Sequence, residues 1–229
     1  MSNLTQPTQA AVDQIIGLYN QGQLEQTVSL AKSLAKQYPN ALILYDILGA
    51  AYMGLKNTEK TIASYQKALQ LNSNHTDAHN NMGLALYDQG RFDEAVRSYQ
   101  KAVNLEPDFG DAHYNLGNAL KQLGNLKQAI ESYKIALSIN PNDTEVLLNY
   151  GIALKNNGNF TQAIQELRNL LKVSPSYADA EIHMDKAIEE KANLDESVAA
   201  YARVSKLEIG SYKVVMFNGS LLESKGYLD

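Results

Sequence analysis

Apolar residues return along this chain at helical spacing, in short runs separated by polar turns. Between Thr76 and Phe109 they fall at Ala78, Met82, Ala85 and Leu86, and again at Phe92, Ala95, Val96, Tyr99, Ala102 and Val103. Residues three and four apart share one face of an α-helix, so each set marks a helix with one buried face. Asp88-Gln89-Gly90-Arg91 divides the two sets. Gly90 suits the positive φ that ends a helix, and Pro107 stops the second run. The pattern predicts a helix, a tight turn and a second helix.

The same pattern recurs in one 34-residue frame without insertion or deletion, in units that begin at Thr8, Leu42, Thr76, Gly110, Thr144 and Ala178. Gly49, Gly83, Gly117 and Gly151 share one place in that frame, Tyr65, Tyr99, Tyr133 and Tyr201 a second, and Pro39, Pro107, Pro141 and Pro175 a third. A fixed period of this length predicts an all-α solenoid of stacked helix pairs. Small residues such as Gly83 and Ala95 let two helix backbones approach, while Tyr99 and Phe92 fill the wider gaps. One unit buries about a few hundred Å² of apolar surface at roughly 25 cal/mol each, against about 1–2 kcal/mol of entropy per ordered residue. A single unit is therefore expected to be unfolded, and the array must stack to be stable.

The order N-x-G, then G-x-F/L, A, Y, A and P within this frame resembles the tetratricopeptide repeat. The likeness covers residues 8–211 in six units, 8–41, 42–75, 76–109, 110–143, 144–177 and 178–211, after a lead of residues 1–7. It is strong in the central units, as in HYNLGNALKQLGNLKQAIESYKIALSINP. The first unit departs from it, with Ile15 at the glycine place and Ala31 at the tyrosine place. In the sixth, Asp185 takes the place of the packing glycine and Ile209-Gly210 that of the proline pair, which predicts a shifted or looser helix pair. Residues 212–229 continue the frame as a half repeat, the first helix only. That is the expectation for the N-terminal piece of a longer protein, or for a natural cap.

The resemblance implies a right-handed superhelix whose first helices line a concave, ligand-binding face. At the sixth place of the repeat stand Asn81, Asn115 and Asn149, a column of carboxamides that resembles the asparagine ladder in the repeat arm of O-GlcNAc transferase and could pair with the backbone of an extended peptide. Tyr87 and Tyr114 are candidate stacking platforms, and Asn118, Lys121 and Lys155 candidates for side-chain selection. Asp77, Asp111, Glu145 and Asp179 form an acidic row that could favour a basic ligand segment, but they fall in first turns, where carboxylates complement the helix dipole, and the structural role is the expected one. The carboxylate clamp of chaperone-adaptor repeats is not expected, because Tyr114, Asp179 and His183 stand where that pattern needs cations.

Composition narrows the rest. The net charge is -5 and no Lys/Arg block is present, which argues against nucleic acid or an anionic membrane as partner. No apolar run approaches a membrane span and the start has no basic, apolar signal, so a cytoplasmic location is expected. With zero cysteines there is no disulfide or thiolate site. Neither a phosphate loop, a nucleophile elbow nor an H-E-x-x-H helix occurs, and the spacing of His75, His79 and His113 does not suit a metal. No cofactor and no catalytic residue are expected. The reading is a binding scaffold for an extended peptide or protein segment. Two alternatives are a substrate-recruiting arm of a larger glycosyltransferase, sulfotransferase, methyltransferase or oxygenase, and a scaffold that assembles end to end.

Overall fold

The computed structural model describes residues 6–206, which hold eleven α-helices. The chain divides into two compact units, residues 1–123 and 124–229. The first contains α1 (Gln9–Asn20), α2 (Leu24–Gln37), α3 (Leu42–Gly54), α4 (Thr58–Leu71), α5 (Thr76–Asp88), α6 (Phe92–Leu105) and α7 (Gly110–Gln122). The second contains α8 (Leu126–Ile139), α9 (Thr144–Asn156), α10 (Phe160–Val173) and α11 (Ala178–Lys206). Within each unit, helices consecutive in sequence pack against one another, as stacked antiparallel pairs require. The half repeat expected at 212–229 lies outside the described residues.

The turns follow the frame. Gly22, Gly90, Gly124 and Gly158 have φ between 72° and 84°, the left-handed region that glycine enters without a Cβ penalty. Lys56 holds the same place in the second repeat with φ 55°. A non-glycine residue in this conformation costs about 1–2 kcal/mol, which the packing of α3 on α4 offsets.

That packing rests on one close approach. A Cβ built on Gly49 would lie 2.6 Å from Cζ of Tyr65, and one on Gly83 would lie 2.6 Å from Cε1 of Tyr99. In the second unit Gly151 meets Leu167 Cγ at 2.6 Å in the same way. The first repeat solves the problem in reverse. Ile15 and Ala31, both buried completely, exchange the large and small partners between helices, so α1 and α2 close on a similar total volume. The two departures noted in the first repeat are thus one compensated change.

The sixth repeat is where the structure parts from the expected helix pair. Ala178–Lys206 is a single helix of 29 residues. Ala192 occupies the turn-glycine place, and alanine favours the helix over a positive φ. A hairpin here would also set the exposed Asp185 where the packing glycine belongs, burying a carboxylate without a partner. Nothing offsets the turn's cost, and the helix runs on. It packs through its first half, where Ala180 and Ala187 are buried, while residues 188–199 are exposed or intermediate.

Two outcomes follow. Gly83→Ala should lower stability by about 1–3 kcal/mol despite the better helix propensity of alanine, because the buried Tyr99 ring cannot move aside. Thermal melts of the single and double variants with Tyr99→Ala should show strong non-additivity. In hydrogen exchange, amide protection in α11 should fall beyond Ala187; uniform protection through residue 199 would contradict the packing described.

Candidate functional site

In the first unit the first helices of three successive repeats frame a cavity of about 310 Å³. Ile16 and Tyr19 of α1, Ile47 and Ala50 of α3 and Ala78 of α5 supply its apolar lining. The polar groups are Asp46 on α3, Tyr65 on α4, His75 just before α5, and Asp77 and Asn81 on α5. These groups come from different repeats and meet because the helices stack.

The polar groups are wired together. His75 donates through Nε2–H to Oδ2 of Asp46 at 2.8 Å, with both side chains largely buried. The other carboxylate oxygen of Asp46, Oδ1, is buried with no hydrogen-bond partner. Burial pushes the Asp46 carboxyl above its ordinary range, the His75 bond and charge pull it partly back, and Asp77 adds a smaller upward push. The Tyr65 hydroxyl hydrogen-bonds Asn81, and burial drives its pKa well above the usual phenol value. Asp77 sits in the first turn of α5, a helix without a side-chain N-cap, where its charge complements the dipole.

The asparagines expected to form a ladder lie as follows. Asn81 lines the cavity. Asn115 donates Nδ2 to Oδ1 of Asn80 at 3.1 Å, and Asn80 donates to Oδ1 of Asn81 at 3.4 Å, so a carboxamide chain joins α5 to α7. Asn80 is buried, a core link between repeats. In the second unit Asn149 is half-buried and its Nδ2 donates to the carbonyl of Glu145 at 3.0 Å.

Tyr87 packs edge-on against Phe92, with centroids 5.2 Å apart, and its hydroxyl accepts from Gln122 at 3.2 Å. Tyr114, Asn118 and Lys121 are half-buried on α7, and burial lowers the Lys121 pKa. Lys155, in the second unit, pairs with Glu190 at 3.5 Å.

Two of the histidines have a structural role that the sequence reading missed. Nε2–H of His79 donates to the Ser73 carbonyl at 2.9 Å, and that of His113 to the Pro107 carbonyl at 3.0 Å. The Tyr45 hydroxyl donates to the Pro39 carbonyl at 2.9 Å from the same place in its repeat. Each ties a first helix to the loop six residues before it. The signal was present, since a donor stands at the fourth place of three consecutive units. Among the described residues no group of three or more potential ligands could hold a metal. No helix of the described residues is long and apolar enough to cross a membrane.

Family profiles described as TPR repeat match residues 49–90 and 83–124, and profiles described as tetratricopeptide repeat match 110–143 and 132–165. The chain belongs to the tetratricopeptide repeat family, whose repeats serve in protein–protein interaction, and its fold is the all-α tetratricopeptide solenoid. Among solved structures, a MamA protein is 24% identical over 78% of this chain and 96% of its own, with a TM-score of 0.69. PilF of Pseudomonas aeruginosa is 21% identical over 92% of this chain and 96% of its own, TM-score 0.68. YrrB, described as a TPR protein with an unusual peptide-binding site, is 22% identical over 83% and 97%, TM-score 0.66. No curated protein matches the sequence.

The raised Asp46 pKa has a consequence for stability. In the folded chain Asp46 holds its proton to higher pH than in the unfolded chain, so stability falls as pH rises from the ordinary carboxylate range through the raised value. Asp46→Asn keeps an acceptor for His75 and removes the charge. At neutral pH its melting temperature should equal or exceed that of the parent, and the difference should shrink on acidification through that window; a loss of stability at neutral pH would contradict the assignment.

Proposed function

We propose that this chain is a recognition scaffold that takes an extended peptide or protein segment along the face formed by its first helices, and that it acts by binding and not by turnover. The observation that carries this reading is the cavity between α1, α3 and α5. Its volume, at the small end of the range for ligand sites, suits one inserted side chain better than a separate small molecule. Apolar walls beside a few convergent polar groups are the composition of a recognition pocket. The cavity also holds a carboxylate, Asp46, whose pKa burial raises, and perturbed ionisable groups in clefts support a role in binding.

Asn81 and Asn115 border this face at a spacing of one repeat, and their carboxamides suit paired contacts to a peptide backbone. Each carboxamide has two donors and an acceptor, so the bonds to Tyr65 and Asn80 leave capacity for a ligand. Tyr87, Tyr114, Asn118 and Lys121 are proposed to select side chains further along the first unit, and Asn149 and Lys155 to act in the second. The peptide-binding site in the description of YrrB shows that a protein of this fold can bind peptide, which supports the reading by likeness.

Peptides selected from a displayed library against the whole chain provide the test. Replacing Asn81, Asn115 and Asn149 by alanine should weaken their binding by about tenfold or more while helicity is kept. Unchanged affinity by calorimetric titration would remove the carboxamide face from the reading.

A further inference from the structure

The walls and the charge of the cavity say more than that a side chain enters it. Its described lining includes two carboxylates, Asp46 and Asp77, and no lysine or arginine. His75 spends its Nε2–H on one oxygen of Asp46, and the second oxygen is buried without a hydrogen-bond donor. That oxygen has no surface open to the cavity, so the Asp46 charge acts on an arriving cation through space, where the apolar surroundings make the attraction stronger than in water. Tyr65 and Asn81 place a hydroxyl and a carboxamide beside it, both able to accept from a cationic donor. Tyr19 offers an aromatic ring at the rim, a surface that favours cations over anions. Ile16, Ile47 and Ala50 line the remainder with hydrocarbon, which matches the methylene stem of a long basic side chain.

Building on the peptide-binding reading, we infer that this cavity is a specificity pocket for a lysine or arginine side chain of the bound segment, its stem against Ile16, Ile47 and Ala50 and its charged head toward Asp46 and Asp77. A glutamate at the same place would meet two carboxylates. A leucine would fill the apolar part but add nothing to Asp46 beyond the His75 bond it already has.

The test uses pools of ten-residue peptides, acetylated and amidated so that no terminal charge competes, each with one central residue set to Lys, Arg, Gln, Leu or Glu and a common mixture elsewhere. The pools are passed over the immobilised full chain, and retention is read by mass spectrometry. Lys and Arg pools should be retained about tenfold more than the Gln pool, and Glu least. The Asp46→Asn, Asp77→Asn double variant should retain peptides without this preference. Should the double variant fail to fold by circular dichroism, Asp77→Asn, at an exposed position, is to be measured by itself and should lower the ratio of Lys to Gln. Retention led by Leu or Glu would overturn the inference and leave peptide binding standing, as would a basic preference that survives in the folded variants. If no pool is retained, the peptide-binding reading fails and this inference fails with it.

Discussion

The close approach of two helix backbones inside each repeat is the constraint on which the rest depends. Gly49 and Gly83 lie against the rings of Tyr65 and Tyr99 at distances that leave no room for a methyl group. A pair of helices can close in this way only if one partner is small where the other is large, which Ile15 and Ala31 satisfy in reverse and Gly151 and Leu167 with an aliphatic partner. What is preserved is the volume of the pair and not the identity of either residue. Where the condition fails, at Asp185, the chain does not fold back, and α11 continues as one helix.

The candidate site grows from the same contact. The ring of Tyr65 seats on Gly49, and its hydroxyl reaches out of the helix pair to Asn81 in the next repeat. One residue thus closes the second repeat and orders a polar group on the surface of the third. The wall of the cavity inherits the rigidity of the core, which reduces the ordering cost of binding. The carboxamide chain from Asn81 through Asn80 to Asn115 extends this order to α7. A functional and a structural role for these asparagines are therefore not alternatives. The bonds that hold the repeats in register also orient the groups offered to a ligand.

Much of the fold was legible because helical periodicity, turn glycines and the repeat frame report the same units independently. The sixth repeat departs from the expected helix pair at Ala192, the turn place, more than at Asp185 or the missing proline. The sequence alone would have been enough to find it, since four glycines and Lys56 stand at that place in the earlier units. The site was harder to read for a physical reason. A periodic frame groups residues into columns, whereas the cavity draws Tyr19, Asp46, His75 and Asn81 from four different places in three repeats. Helix stacking converts a diagonal of the frame into a neighbourhood. His75, just before α5, is the partner of Asp46 from 29 residues away.

The Asp46–His75 pair also bears on what kind of site this is. The Asp46 carboxyl lies among apolar walls with one oxygen unsatisfied, and burial raises its pKa, whereas an asparagine would keep the hydrogen bond without the charge. Packing gives no reason for the charge, since Ile47 and Ala50 line the same cavity with hydrocarbon. Stacking gives none either, because the repeats are joined by the tyrosine, histidine and asparagine bonds described above. In the proposed reading, what the charge adds beyond the His75 bond is a negative field in the cavity that a basic side chain of the ligand completes. The cost falls on the unliganded protein and is recovered on binding, which is how charge complementarity contributes to selectivity.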